Sequence, residues 1–172
     1  MARWALSERR IVTHAVAILV VLAAAPALAK VDRPHEEQLI GECIAKAAKG
    51  RLWLERTLWG LRDQEGGWVG AETANTDGSH DLGPMQINSW WIPRIAAVTK
   101  RSPALVRLWL QHDACFNVFA ARWIFLSEIA ASRDYWRAVG VYHSPTSWRR
   151  RTYALRVDGQ IRRRFGKRVF AP

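Results

Sequence analysis

Residues 36–63 read Glu36-Glu37-Gln38-Leu39-Ile40-Gly41-Glu42-Cys43-Ile44-Ala45-Lys46-Ala47-Ala48-Lys49-Gly50-Arg51-Leu52-Trp53-Leu54-Glu55-Arg56-Thr57-Leu58-Trp59-Gly60-Leu61-Arg62-Asp63, and this stretch decides the fold class. Leu39, Ile40, Cys43, Ile44 and Ala47 recur at spacings of three and four, the period that puts side chains on one face of a helix. Gly50 breaks the pattern. Leu54, Leu58 and Leu61 then restart it, predicting a second helix to about Asp63.

Working outward, the chain changes character between Gly66 and Leu82. Four glycines and the polar run Asn75-Thr76-Asp77-Gly78-Ser79 are turn chemistry, predicting a short hairpin that ends near Met85-Gln86-Ile87-Asn88. Helices resume beyond it. Ser102-Pro103 is a cap followed by a first-turn proline. Asp113 caps a long helix to about Ile129, and Asp134 opens another to about Tyr142, where Ser144-Pro145 stops it. A last helix, Thr152 to about Arg164, buries Tyr153, Val157 and Ile161 and exposes arginines. Six or more helices with one irregular glycine-rich insertion predict an all-α or α-dominated single domain.

Ahead of this domain, Arg3, Arg9 and Arg10 form a basic head and Ile11 to Ala25 an apolar run, followed by Pro26-Ala27-Leu28-Ala29. That is the three-part signature of a secretory signal peptide, with cleavage expected after Ala29. Residues 1–29 are therefore a predicted signal peptide and 30–172 the exported domain, placed in the periplasm. A membrane association would follow only from an uncleaved signal segment. Cys43 and Cys115 both lie in the exported part, where an oxidising compartment favours a bridge over two buried free thiols.

The 172 residues carry a formal net charge of +11. Much of it sits in Arg149-Arg150-Arg151 and in the tail from Arg162-Arg163-Arg164 through Lys167-Arg168, so residues of about 162–172 read as a basic C-terminal tail. Such charge concerns partners and solubility rather than fold. Export and the absence of any recognised nucleic-acid motif argue against nucleic acid, and an anionic cell envelope suits the charge equally well. His35, His80, His112 and His143 lack ligand spacing, and the run Asp77 to Asp81 lacks the ligand order of a calcium loop, so neither metal nor cofactor is expected.

Three pieces carry chemistry. The first is Asp63-Gln64-Glu65-Gly66-Gly67-Trp68, a carboxylate at the end of an apolar helix beside open backbone. Partial burial there raises a carboxyl pKa, as a general acid working near neutrality requires. The second is Asp81-Leu82-Gly83-Pro84-Met85-Gln86-Ile87-Asn88, and the third Trp136-Arg137-Ala138-Val139-Gly140-Val141-Tyr142-His143-Ser144-Pro145. In this order they resemble the lytic transglycosylases of the soluble-lytic-transglycosylase, goose-lysozyme-like group. Those run Glu-Ser, Gly-Leu-Met-Gln, Ala-Tyr-Asn and a tyrosine-alanine pair, here met by Glu65, by Gly83, Met85 and Gln86, by Tyr142, and by Tyr153-Ala154.

The chain is more similar still to the small specialised transglycosylases of type III and type IV secretion, conjugation and pilus machines. They share the insertion Asn75 to Asp81, the run Met85-Gln86-Ile87-Asn88-Ser89, and two cysteines at the places of Cys43 and Ala114-Cys115-Phe116-Asn117. The resemblance covers roughly Gly41 to Val157. It implies a lysozyme-like domain that cleaves the glycan strands of peptidoglycan, with Glu65 catalytic and with Gln86, Tyr142, Gly83, Met85, His143 and Tyr153 around the substrate. It implies a secretion, conjugation or pilus apparatus as partner. The alternative is a catalytically weak or silent peptidoglycan-binding module.

Four positions depart from the pattern: Gly66 replaces serine, Pro84 leucine, and Val141 and His143 the alanine and asparagine beside Tyr142. At Gly66 the expectation is helical backbone with Gly67 ending the helix, so that serine would restore a hydroxyl beside Glu65. Asp81 reads as a structural residue tying the glycine turn, Glu72 and Asp77 as loop solvation, and Trp68 and Trp90 as the best of ten tryptophans for stacking on sugar rings.

Overall fold

The computed structural model describes residues 33–167 and 169. The signal-peptide reading of residues 1–29 falls outside them, as does most of the tail beyond Lys167. The described chain is α-dominated, as the periodicity predicts: α1 (Arg33–Ala48), α2 (Leu52–Glu65), α3 (Ile92–Thr99), α4 (Pro103–His112), α5 (Ala114–Ser132), α6 (Tyr135–His143) and α7 (Ser147–Phe165). The glycine-rich insertion is a small antiparallel sheet of β1 (Glu72–Ala74), β2 (His80–Leu82) and β3 (Ile87–Asn88) in that order. Its register pairs Glu72 with Leu82 and Asp81 with Asn88. A single 3-10 turn, Ser89–Trp91, leads from β3 into α3.

Helix starts follow local side-chain chemistry. Ser102 Oγ accepts from the Leu105 N–H at 3.3 Å, Asp113 Oδ1 from Phe116 at 2.9 Å, and Asp134 Oδ1 from Arg137 at 2.9 Å. Each satisfies a first-turn donor that the helix leaves unpaired. The core runs through Ile40, Cys43 and Ile44 of α1, Leu54, Leu58 and Leu61 of α2, Val118 and Phe125 of α5, and Val157 and Ile161 of α7, all fully buried. α5 packs against α1 and α6, and α7 against α2 and α6. Cys43 and Cys115 are bridged, with their Cα atoms 4.9 Å apart, so the disulfide joins α1 to the first turn of α5.

Three expectations need adjustment. α7 begins at Ser147, five residues before Thr152. Leu39 is 41% exposed, because Ile40, Cys43, Ile44, Ala47 and Ala48 complete the buried stripe of α1. α3, which no separate periodic pattern marks, is an eight-residue helix with proline in its first turn.

Candidate functional site

Glu65 is the last residue of α2. Its neighbour Gly66 is the helix cap, with φ 63° and ψ 15°, and donates its N–H to the Arg62 carbonyl at 3.0 Å. This overturns the expectation that Gly66 is helical: the helix ends one residue earlier, in the left-handed conformation that glycine adopts without strain. Gly67 has another task. A Cβ there would lie 2.3 Å from the Gly83 carbonyl oxygen and 2.9 Å from Gln86 Nε2. Only a residue without a side chain lets the end of α2 press against the Gly83–Gln86 turn.

That approach delivers the Glu65 carboxyl, partly buried, to a cleft of about 580 Å³ whose walls include Asp81, Gln86, Trp90, Tyr142 and His143. The Tyr153 hydroxyl donates a short hydrogen bond to Glu65 Oε1. Burial pushes the Glu65 pKa up to about 7, the Tyr153 hydrogen bond opposes the rise, and the nearby Asp81 charge adds to it. A carboxyl with that value is substantially protonated near neutral pH, and it can donate a proton and then take one back. Burial also holds Tyr142 and Tyr153 well above the usual phenol value, so both remain hydrogen-bond donors.

The remaining candidate residues divide into wall and foundation. Gln86 is on the wall, fixed by Nε2 donating to the Gly83 carbonyl at 2.9 Å and Oε1 accepting from Thr73 Oγ1 at 3.1 Å. Tyr142 lines the cleft with its ring, while its hydroxyl donates to the Met85 carbonyl at 2.9 Å. His143 also lines it. Its ring lies parallel to that of Tyr153, 6° between planes and 4.8 Å between centroids. Dehydration of the ring lowers the His143 pKa, with Arg149 and Arg156 acting in the same sense and Asp81 against them. Tyr153 is buried behind the cleft, its hydroxyl on Glu65 and its ring on His143.

Gly83 and Met85, expected around the substrate, are both buried and neither lines the cleft. The reason is Asn117 of α5, fully buried, which the Ala114–Asn117 motif contains without a role assigned to it. Its Oδ1 accepts from the Met85 N–H at 2.8 Å, and its Nδ2 donates to the carbonyls of Leu82 at 2.8 Å and Leu110 at 2.7 Å. One side chain thus satisfies three backbone groups and pins the turn from below. The clue in the sequence is an amide two residues after Cys115, near the start of a mostly apolar helix.

Asp81 has a structural partner, as expected, although not the turn itself. Its Oδ1 accepts from Asn88 Nδ2 at 3.0 Å across the β2–β3 pair. Asp77 is more than solvated loop: it accepts from the Ser79 N–H at 2.9 Å and Oγ at 2.6 Å, which lowers its pKa and shapes the cleft wall. Glu72 likewise binds Arg107 and accepts from Gln111 Nε2 at 3.1 Å, tying β1 to α4. Of the two tryptophans, Trp90 is half exposed at the cleft and stacks on Trp91 with centroids 4.4 Å apart. Trp68 lies in a separate depression with Gly66 and Gly67. Among the described residues no three His, Cys, Asp or Glu side chains converge as a metal site would require.

No family model matches the chain. Among curated proteins it is similar to invasion protein IagB of Salmonella typhimurium strains SL1344 and LT2, 33% identical over 131 residues that span 75% of this chain and 73% of theirs. It is also similar to invasion protein IagB of Salmonella typhi, 31% identical over 130 residues with the same coverage. Identity at this level, over about three quarters of both chains, places the chain in the family of invasion protein IagB.

Proposed function

We propose that this protein is a peptidoglycan lytic transglycosylase acting in the periplasm. The observation that carries the reading is Glu65: a carboxyl at the wall of a groove-like cleft, raised to about 7 by burial and held by Tyr153. In this reading protonated Glu65 gives its proton to the glycosidic oxygen between N-acetylmuramic acid and N-acetylglucosamine as the bond from C1 breaks. The resulting carboxylate then takes the proton of the muramic acid 6-hydroxyl while that oxygen bonds to C1. The product ends in a 1,6-anhydro ring and no water is consumed. An internal nucleophile has a very high effective concentration, so a second carboxylate is unnecessary.

Tyr153 orients the Glu65 carboxyl, and Gln86 and His143 offer polar groups to the sugars. Half-exposed Trp90, backed by buried Trp91, suits a sugar face. The relatives' name, invasion protein, fits an enzyme that opens the wall locally for an envelope-spanning secretion, conjugation or pilus machine. Mass analysis of muropeptides released from sacculi tests the reading. Products should be one water lighter than muramidase products and resistant to borohydride.

A second reading has one observation in its favour. Asp81 shares the cleft with Glu65 and its charge acts on that carboxyl. A hydrolase of lysozyme type would use such a pair, and hydrated, reducible products would select it.

A further inference from the structure

A second concavity, of about 530 Å³, lies between α6 and α7 on the face of α7 turned away from Tyr153. Tyr153 and Val157 point into the core, while Arg151, Leu155, Asp158 and Arg162 recur at spacings of three and four along the opposite face. The groove continues past Trp136 and Arg162 toward Trp53 and Tyr135. Its apolar part is unusually open: Leu155 is 74% and Trp136 38% exposed. One exposed leucine is ordinary, but here a leucine and a tryptophan share a concave, arginine-rimmed channel, the kind of patch that marks interaction sites.

The charges specify what fits. Arg137, Arg150 and Arg151 line the groove and none makes an ion pair among the described residues. Arg150 Nη1 donates only to the Pro145 carbonyl at 3.3 Å, and Arg151 Nη1 to Ser147 Oγ at 2.8 Å, so their carboxylate-binding edges are available. We propose that this groove docks an acidic amphipathic helix of a partner protein. Its apolar side would seat on Leu155 and Trp136, and its carboxylates would meet Arg137, Arg150 and Arg151. The channel between two packed helices is the shape into which a third helix fits.

A flat anionic membrane or a polynucleotide suits the groove less well. Asp134 stands in the lining beside the Asp158–Arg162 ion pair and repels a uniform sheet or string of negative charge, whereas a peptide can match it with a lysine. Docking here also leaves the Glu65 cleft open, and the inference stands whatever reaction that cleft performs.

The test uses the purified protein and a fluorescein-labelled helical peptide of about 15 residues, with leucines at every third or fourth position and glutamates between them. Anisotropy should show saturable binding, and the Trp136 indole resonance should shift. A peptide of identical composition with the leucines scrambled off one face should bind at least about fivefold more weakly, and so should Leu155→Ser with the original peptide. The double variant Arg137→Glu/Arg151→Glu should weaken binding about tenfold or more at an unchanged thermal midpoint. Equal affinity for the scrambled peptide, indifference to the double variant, or no shift at Trp136 would each overturn the proposal. So would vesicles of mixed phosphatidylcholine and phosphatidylglycerol binding in an Arg137- and Arg151-dependent way where the peptide does not, since the groove would then be a membrane contact.

Discussion

Replacing Glu65 by glutamine should remove activity and, at alkaline pH, make the protein more stable. The carboxyl has an ordinary value of 4.5 in the unfolded chain and about 7 in the folded one. Its folded pKa is raised, so folding favours the neutral form. Wild-type stability from this group is fully present below about pH 4.5 and is lost as pH rises through about 7. At ~1.4 kcal/mol per pH unit the ceiling is ~3 kcal/mol, and residual contact with cleft water reduces it to about 2 kcal/mol. Glutamine remains neutral and can still accept from Tyr153. The variant should therefore match wild type at pH 4 and exceed it at pH 8 by roughly 4–8 °C in thermal midpoint. Loss of the transferable proton should cost turnover ~10²–10⁴-fold on sacculi. Thermal unfolding of both proteins across pH 4–8 is the assay. Equal midpoints at pH 8, or the same gain at pH 4, would refute the argument that burial of an ionised carboxylate is what raises its pKa.

Four further outcomes follow from the same geometry. Gly66→Ser should destabilise by ~1 kcal/mol through backbone strain alone, since the space around its Cβ is open; a rise in both urea midpoint and turnover would restore the missing-hydroxyl idea. Gly67→Ala should be worse, by several kcal/mol or with Gln86 displaced, and wild-type stability in that variant would contradict the contact with Gly83. Tyr153→Phe removes the hydrogen bond that lowers the Glu65 pKa, so the alkaline limb of the pH–activity profile should move further up; a downward move would mean Tyr153 acts otherwise. Reduction of the Cys43–Cys115 bridge, which spans 72 residues, should lower stability by ~4 kcal/mol in the chain-entropy view, and an unchanged denaturation midpoint in reductant would disprove it.

What could be read from the sequence was what is local. Ser102, Asp113 and Asp134 each bond a donor three residues on, and each marked its helix start correctly. The start of α7 was hidden because Ser147-Trp148-Arg149-Arg150-Arg151 has no apolar period. That turn is held from outside, where Gly140 of α6 lets the Arg150 backbone come so close that a Cβ would sit 2.4 Å from its carbonyl oxygen. Glu65 was legible as a carboxyl before two glycines. The roles of those glycines were exchanged, since only the fold shows which one faces Gly83. Tyr153 stands 88 residues from Glu65 and Asn117 32 from Met85. Neither contact has a local signature: the resemblance marks Tyr153 and Asn117 as motif residues but does not say what they bond.

The position of Glu65 at the carboxyl end of α2, rather than anywhere along it, has an electrostatic consequence of its own. The peptide dipoles of a helix add up to a partial negative charge at this end. A carboxylate formed there is opposed by the direction of the chain, before any neighbour is considered. The effect is ~0.3–1 kcal/mol, under one pH unit, and it acts in the same sense as burial. Threading α2 in the opposite direction would put the same carboxyl at a positive pole and favour its ionised form. The polarity of the polypeptide is thus one of the groups that keep this acid protonated.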